Sequence, residues 1–179
     1  AKLLDITTMK YPQGKTPLRA SMPLSPKKPL KKTVASVGIF GVQIFLVLLL
    51  ASVLIPQPFS LVAVGLLALF IIVNAISVPV HLWYENLYMK KYFYDENGQV
   101  LIIRKGVFGW SEIVVPYRNI QSIYVDQDWY DVYYDLWDVW ITTVTSASGP
   151  MAHIDGLERD DAERLARLLV ERVESSRKR

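Results

Sequence analysis

Residues 33–84 contain no Asp, Glu, Lys or Arg, and the run is interrupted only by Pro56, Gln57 and Pro58. At about 1.5 Å of rise per residue, residues 34–55 would form a helix of roughly 33 Å, enough to cross a hydrocarbon core of about 30 Å, and residues 59–83 would cross it again. An unpaired backbone group in lipid costs several kcal/mol, so uncharged stretches of this length read as helices, with the turn at residues 56–58 as the bend between them. Two apolar helices of full length in a 179-residue chain leave too little other sequence to cover them as a soluble core. The expectation is a transmembrane hairpin over residues 34–91.

The borders of the hairpin set its expected orientation. Residues 1–33 carry eight bases, Lys2, Lys10, Lys15, Arg19, Lys27, Lys28, Lys31 and Lys32, against Asp5 alone. Lys90 and Lys91 follow the second span, and the turn between the spans is uncharged. Excess Lys and Arg marks the cytoplasmic side, which predicts a multi-pass protein of the cell (inner or plasma) membrane with both termini cytoplasmic. Lys27, Lys28, Lys31, Lys32, Lys90 and Lys91 are also the candidate ligands for anionic lipid headgroups, at about 1 kcal/mol per base near the surface. Residues 1–33 hold Pro12, Pro17, Pro23, Pro26 and Pro29 with little apolar periodicity, which predicts an extended, weakly ordered basic arm. Inside the spans, Gln43 and Asn74 would lie about 4.5 Å apart along the hairpin axis, so their amides are the candidate interhelical polar contact.

From Tyr92 onward the pattern changes, and ten bases face fifteen acids. Tyr92, Phe93 and Tyr94, then Asp95, Glu96, Asn97 and Gly98, then residues 100–104 read as two strands joined by a turn, with Asn97-Gly98 the strongest hairpin signal. Residues 113–115, 120–125, 139–144 and 151–154 are further short strands rich in β-branched and aromatic residues, with a turn at residues 146–149. Such a meander predicts a small barrel or sandwich. Residues 157–173 read as a helix whose Leu165, Leu168, Leu169 and Val173 share one face beside Ala162 and Ala166. The expected fold is α+β: a membrane hairpin, then an antiparallel domain over residues 92–179 capped by an amphipathic helix.

The order of several short motifs carries a resemblance. They are Gly106, Val107 and Phe108; Val115-Pro116; Asn119, Ile120, Gln121 and Ser122; Gln127; Leu136, Trp137, Asp138 and Val139; Thr142-Thr143; and Ile154, Asp155, Gly156 and Leu157 ahead of the helix. In this order the chain resembles the YdbS-like bacterial pleckstrin-homology membrane proteins, in which two transmembrane helices precede a PH-like domain. The resemblance implies a binding and scaffolding fold with no reaction attached to it. Where the family pattern has a glycine before Leu136, this chain has Asp135, which implies a positive φ there; Asp tolerates that better than most residues. The first strand-to-strand loop, which carries bases in phosphoinositide-binding PH domains, is acidic here, so phosphoinositide binding is not carried across.

Residues 126–140 are the most distinctive soluble stretch, interleaving Asp126, Asp128, Asp131, Asp135 and Asp138 with six aromatic residues. As a helical turn it would place Trp129, Val132, Tyr133 and Leu136 on one face and the aspartates on another. Such a face either closes one end of the barrel or, since Trp and Tyr dominate binding hot spots, docks a protein. The candidate partner surface is Trp129, Tyr130, Tyr133, Tyr134 and Trp137. The acids disfavour nucleic acid, whose phosphates need Lys and Arg. The chain has no cysteine, and His81 and His153 lack further ligands at metal spacing, so neither metal nor cofactor is expected. The function expected is a non-catalytic scaffold or accessory subunit that meets membrane lipids and a membrane protein partner or a second copy of itself, with anionic-lipid sensing or handling as the alternative.

Overall fold

The computed structural model describes residues 17–56, 59–143 and 152–178. The elements are α1 (Pro17–Ser21), α2 (Lys28–Leu54), α3 (Phe59–Lys91), β1 (Phe93–Glu96), β2 (Val100–Lys105), β3 (Ser111–Pro116), a 3-10 turn (Tyr117–Asn119), β4 (Ile120–Asp126), α4 (Trp129–Tyr134), β5 (Trp137–Thr143), β6 (Ala152–Leu157) and α5 (Arg159–Arg177). They form two compact units: residues 27–87 make one, and the described residues up to Pro26 together with those from Tyr88 onward make the other. The expected residues Gln57, Pro58, Val144, the turn at 146–149, Met151 and the arm over residues 1–16 lie outside the described residues.

In the first unit, α2 and α3 are both long and apolar enough to cross a membrane. They begin earlier and end later than the uncharged stretch: α2 takes in Lys28, Lys31 and Lys32, and α3 runs on to Lys90 and Lys91. Charge marks where lipid would end, whereas a helix ends where its backbone geometry changes, here at the extended Ile55 for α2. The apolar side chains are mostly turned outward, among them Val47, Leu50, Val53, Leu54, Phe59 and Leu61. Polar side chains mostly bond their own helix: Ser52 Oγ donates to Leu49 O at 2.6 Å and Asn74 Nδ2 to Phe70 O at 2.9 Å.

That last bond corrects the expected contact between Gln43 and Asn74. Asn74 does sit opposite α2, since a Cβ added at Gly41 would lie 3.8 Å from its Oδ1. Gln43 is two residues further along, about 200° around the helix, and is exposed. Among the described residues, a polar link between the helices joins Thr33 to His81, 3.1 Å between Oγ1 and Nδ1. The Thr33 hydroxyl donates to Pro29 O at 2.9 Å, which leaves its oxygen to accept from the imidazole N–H.

The second unit holds two antiparallel sheets, in strand orders β1-β2-β3 and β4-β5-β6. The β1–β2 turn closes as the sequence predicts. Asn97 Oδ1 accepts from the backbone N–H groups of Gln99 and Val100 at 3.1 and 3.0 Å, and Gly98 takes φ +79°. Tyr94, Leu101, Ile103 and Val115 from one sheet and Val139, Ile141 and Ile154 from the other join one core, which Ala162, Leu165, Leu169 and Val173 of α5 complete. The i, i+3, i+4 stripe read from residues 157–173 is therefore the buried face.

The sequence does not announce what residues 17–25 do. They are not an extended, weakly ordered arm: Leu18, Met22 and Leu24 belong to the same core, Leu24 bridges Leu157 of β6, and Ser25 N donates to Gly156 O at 2.8 Å. Arg19 donates to the carbonyls of Met89, at 2.5 Å, and Tyr92, so a cation caps the carboxyl end of α3. The Tyr94 hydroxyl donates to Met22 O. Three apolar side chains spread among prolines produce no helical or strand period, yet they are enough to seat the segment.

Candidate binding surfaces

Two exposed surfaces on the second unit combine aromatic and charged side chains. The first is α4. A reciprocal capping box starts it, Asp128 Oδ1 accepting from Asp131 N at 2.7 Å and Asp131 Oδ2 from Asp128 N at 3.3 Å. Asp135 ends it in the left-handed region at φ +53°, ψ +52°, as the family pattern implied. The box turns Asp131 inward, where it is fully buried, and so turns the aromatic side out: Trp129 is 65 % and Tyr133 81 % exposed, with Val132 beside them. The expected face is thus corrected in one member. Leu136 is buried, because the left-handed turn at Asp135 breaks the helical period before it reaches that residue.

The five candidate partner residues divide accordingly. Trp129 and Tyr133 present the surface, while Tyr130, Tyr134 and Trp137 are half-buried beneath it. Trp129 and Tyr130 stack with ring centroids 3.7 Å apart, and Tyr133 meets Tyr134 edge to face at 5.0 Å. The Tyr130 hydroxyl and Trp137 Nε1 are enclosed and have no hydrogen-bond partner among the described residues. Val132 is exposed beside Trp129 and Tyr133, which favours the docking alternative for this face over closure of the barrel end. Asp128 and Asp135 at the two ends of α4, and Asp126 just before it, are also exposed.

The second surface is the β2–β3 connection, which sequence reading used only as a family marker. Gly106 has φ +124°, and a Cβ there would lie 1.9 Å from Gly109 O, so only glycine allows the loop to fold this tightly. Phe108 is 85 % and Trp110 71 % exposed at its tip. The Arg104 guanidinium lies 5.0 Å from the Phe93 ring centre and 4.7 Å from that of Trp110, and its Nε and Nη2 donate to Glu112 Oε2 at 3.0 and 2.6 Å. Lys91 Nζ donates to Val107 O at 2.8 Å. Lys91, Phe93, Arg104, Val107, Phe108 and Trp110 line a pocket of about 170 Å³.

The six candidate headgroup lysines also divide. Lys27, Lys90 and Lys91 are exposed and Lys32 is half-buried, but Lys28 and Lys31 are buried. Residues three apart share a helix face, so Lys28 and Lys31 are buried on one face of α2 while Lys27 and Lys32 are more open. His153 stacks on Trp140 with centroids 4.5 Å apart, and Lys105 Nζ lies 3.3 Å from its Nδ1.

A three-element polar cluster also ties β1, the 3-10 turn and α5 together. Glu96 of β1 accepts from Arg172 of α5 at 2.8 and 2.5 Å and from the Tyr117 hydroxyl at 2.7 Å. The Arg172 hydrogen bonds hold the Glu96 carboxyl below the usual carboxylate range. Burial, then the bond to Glu96, pushes the Tyr117 hydroxyl well up.

No curated protein and no solved structure matches the chain. The family model for the bacterial PH domain matches residues 35–173. That span takes in most of α2, all of α3, both three-stranded sheets and α5 as far as Val173. Two such sheets with a closing helix, matched over more than half of the chain, place it: the chain belongs to the bacterial PH domain family.

Proposed function

We propose that the chain is a non-catalytic binding module, anchored in the membrane by α2 and α3, whose PH domain holds a protein partner on the outer face of α4. The anchoring rests on outward-facing apolar side chains over two helices of spanning length, such as Val53 at 74 % exposure, combined with polar side chains that bond backbone carbonyls of their own helix. Lipid favours that combination, because it solvates apolar side chains and offers no hydrogen bonds.

The partner reading rests on one observation: Trp129, Val132 and Tyr133 are exposed on a helix whose two ends are already capped, with exposed aspartates at those ends. Exposed Trp and Tyr are the residues that dominate binding hot spots. The aspartates specify the occupant, a protein surface with an apolar pocket bordered by Lys or Arg. A photo-crosslinking residue at Tyr133 in native membranes tests this. One discrete adduct is expected, and it should be lost when Asp128 and Asp135 are changed to Lys; an adduct at twice the chain's mass would identify a second copy as the occupant. No adduct, or one indifferent to the charge reversal, overturns the reading.

A further inference from the structure

We infer that the β2–β3 loop is a second membrane contact, which seats Phe108 and Trp110 in the interfacial layer and holds an anionic phospholipid headgroup beside Lys91. The inference rests on the anchoring proposed above and adds to it a site, a ligand class and a set of residues.

Four observations carry it. Phe108 and Trp110 are large apolar side chains that the β2–β3 connection leaves mostly exposed, and exposed apolar surface of this kind marks a contact site. Trp and Tyr collect at membrane interfaces because one end of the ring tolerates water and the rest does not. The loop is shaped for its tip to protrude: Gly106 allows the close approach to Gly109, and Arg104, fixed by Glu112, packs its guanidinium against Trp110. The bases are on the same part of the chain. Lys90 and Lys91 are exposed at the end of α3, and Lys91, with one of its three N–H donors on Val107 O, keeps two for a phosphate. Lys91 also follows Tyr84, the last residue of the uncharged stretch, by only seven positions. A pocket of about 170 Å³, lined by Lys91, Phe93, Arg104 and Trp110, accommodates a phosphate group rather than a whole lipid.

Arg104 positions Trp110 more than it attracts lipid, because its charge is already balanced by Glu112 at 2.6 Å. Lys91 and the two aromatic tips are therefore the residues on which binding depends. Attraction to an anionic surface falls with salt, whereas burial of the aromatic tips does not, so the two contributions are separable.

The chain has no cysteine, so single cysteines give unique attachment points for a fluorophore sensitive to its surroundings. Gly109→Cys adds a Cβ that meets nothing within 4 Å, and Ser111→Cys, at the exposed start of β3, leaves the whole loop unchanged. The full chain is placed in nanodiscs of phosphatidylcholine, with and without phosphatidylglycerol, each carrying spin-labelled lipid as quencher. Both labels should be quenched more strongly with phosphatidylglycerol, and less so at about 1 M salt, where the Debye length is about 3 Å. Lys91→Gln should lower the docked-to-undocked ratio about fivefold, the factor that one base near an anionic surface contributes. Phe108→Ser with Trp110→Ser should abolish quenching. Equal quenching in the two kinds of disc, or labels that remain in water in both, overturns the inference. A third label, Val53→Cys on α2, should be quenched in every disc: if it is not, the anchoring itself fails, whereas a quenched Val53 label with unquenched loop labels rejects the loop contact alone.

Discussion

Glu96, Tyr117 and Arg172 show how three residues far apart in the chain can join a sheet, a turn and a helix. The carboxyl of Glu96 titrates below its unfolded value, near 4.3, so the stability it contributes is present above that pH and is lost as pH falls through the folded value. Glu96→Gln should cost about 1 to 2 kcal/mol at neutral pH, the scale of hydrogen bonds to a charged group, and flatten the acid limb of a plot of Tm against pH. At the alkaline limb the sign reverses. Burial raises the hydroxyls of Tyr92, Tyr94 and Tyr117, so the unfolded chain ionises first and stability should fall above about pH 10. Asp135 supplies a second residue-scale expectation. At φ +53° a glycine is at no disadvantage, so Asp135→Gly should leave Tm within a degree or two, whereas Asp135→Val should cost about 1 to 2 kcal/mol through the left-handed clash. Equal Tm values for the two variants would contradict the strain argument.

At the scale of elements, α2 and α3 give the clearest contrast between what sequence reveals and what it hides. Their existence follows from the uncharged stretch, but the faces they present do not, because a helix apolar all round has no period to read. Gln43 and Asn74 were therefore matched by height alone, and the structure separates them by rotation. Gln43→Leu should leave the hairpin as stable or make it more so in steric-trap or urea unfolding from bicelles, since it removes an exposed amide that bonds nothing else among the described residues. A loss of about 1 kcal/mol, the scale of an interhelical hydrogen bond, would restore the Gln43 to Asn74 contact. The strands and α5 were legible because their periods of 2 and 3.6 coincide with burial, as at Leu165, Leu169 and Val173. α4 was legible as a helix and illegible as a surface. Its capping box is visible as Asp128 and Asp131, but an aspartate buried by that box inverts the usual rule that acids face water. The β2–β3 loop gives no signal beyond the family marker Gly106, Val107 and Phe108, since exposure of Phe108 and Trp110 depends on the fold around them.

At the scale of the whole molecule, the notable feature is that the PH unit is discontinuous: residues 17–25, which precede the hairpin, complete a core built from strands that follow it. Those residues also lie before the span matched by the family model, so this chain closes its domain with a segment beyond the matched span. Leu18, Met22 and Leu24 are each less than 8 % exposed, and burying a side chain of this kind contributes about 1.5 to 3 kcal/mol. Three of them, with the Leu24 bridge and the Arg19 cap, amount to a large part of the about 5 to 15 kcal/mol by which domains are stable. A fragment of residues 88–179 should therefore be poorly stable by itself. A synthetic peptide of residues 17–26 should restore it in trans, and the effect should grow with peptide concentration. At a free peptide concentration of about 100 times its Kd the gain is about 2.7 kcal/mol, and for a domain of this size that raises Tm by roughly 10 °C or more. A peptide with Leu18, Met22 and Leu24 replaced by Ser should have no effect, which separates seating in the core from general association. If the native peptide leaves Tm unchanged, or the serine peptide matches it, the segment decorates the domain instead of completing it; a concentration-dependent rise with the native peptide alone means the hairpin is inserted within the PH unit's own sequence.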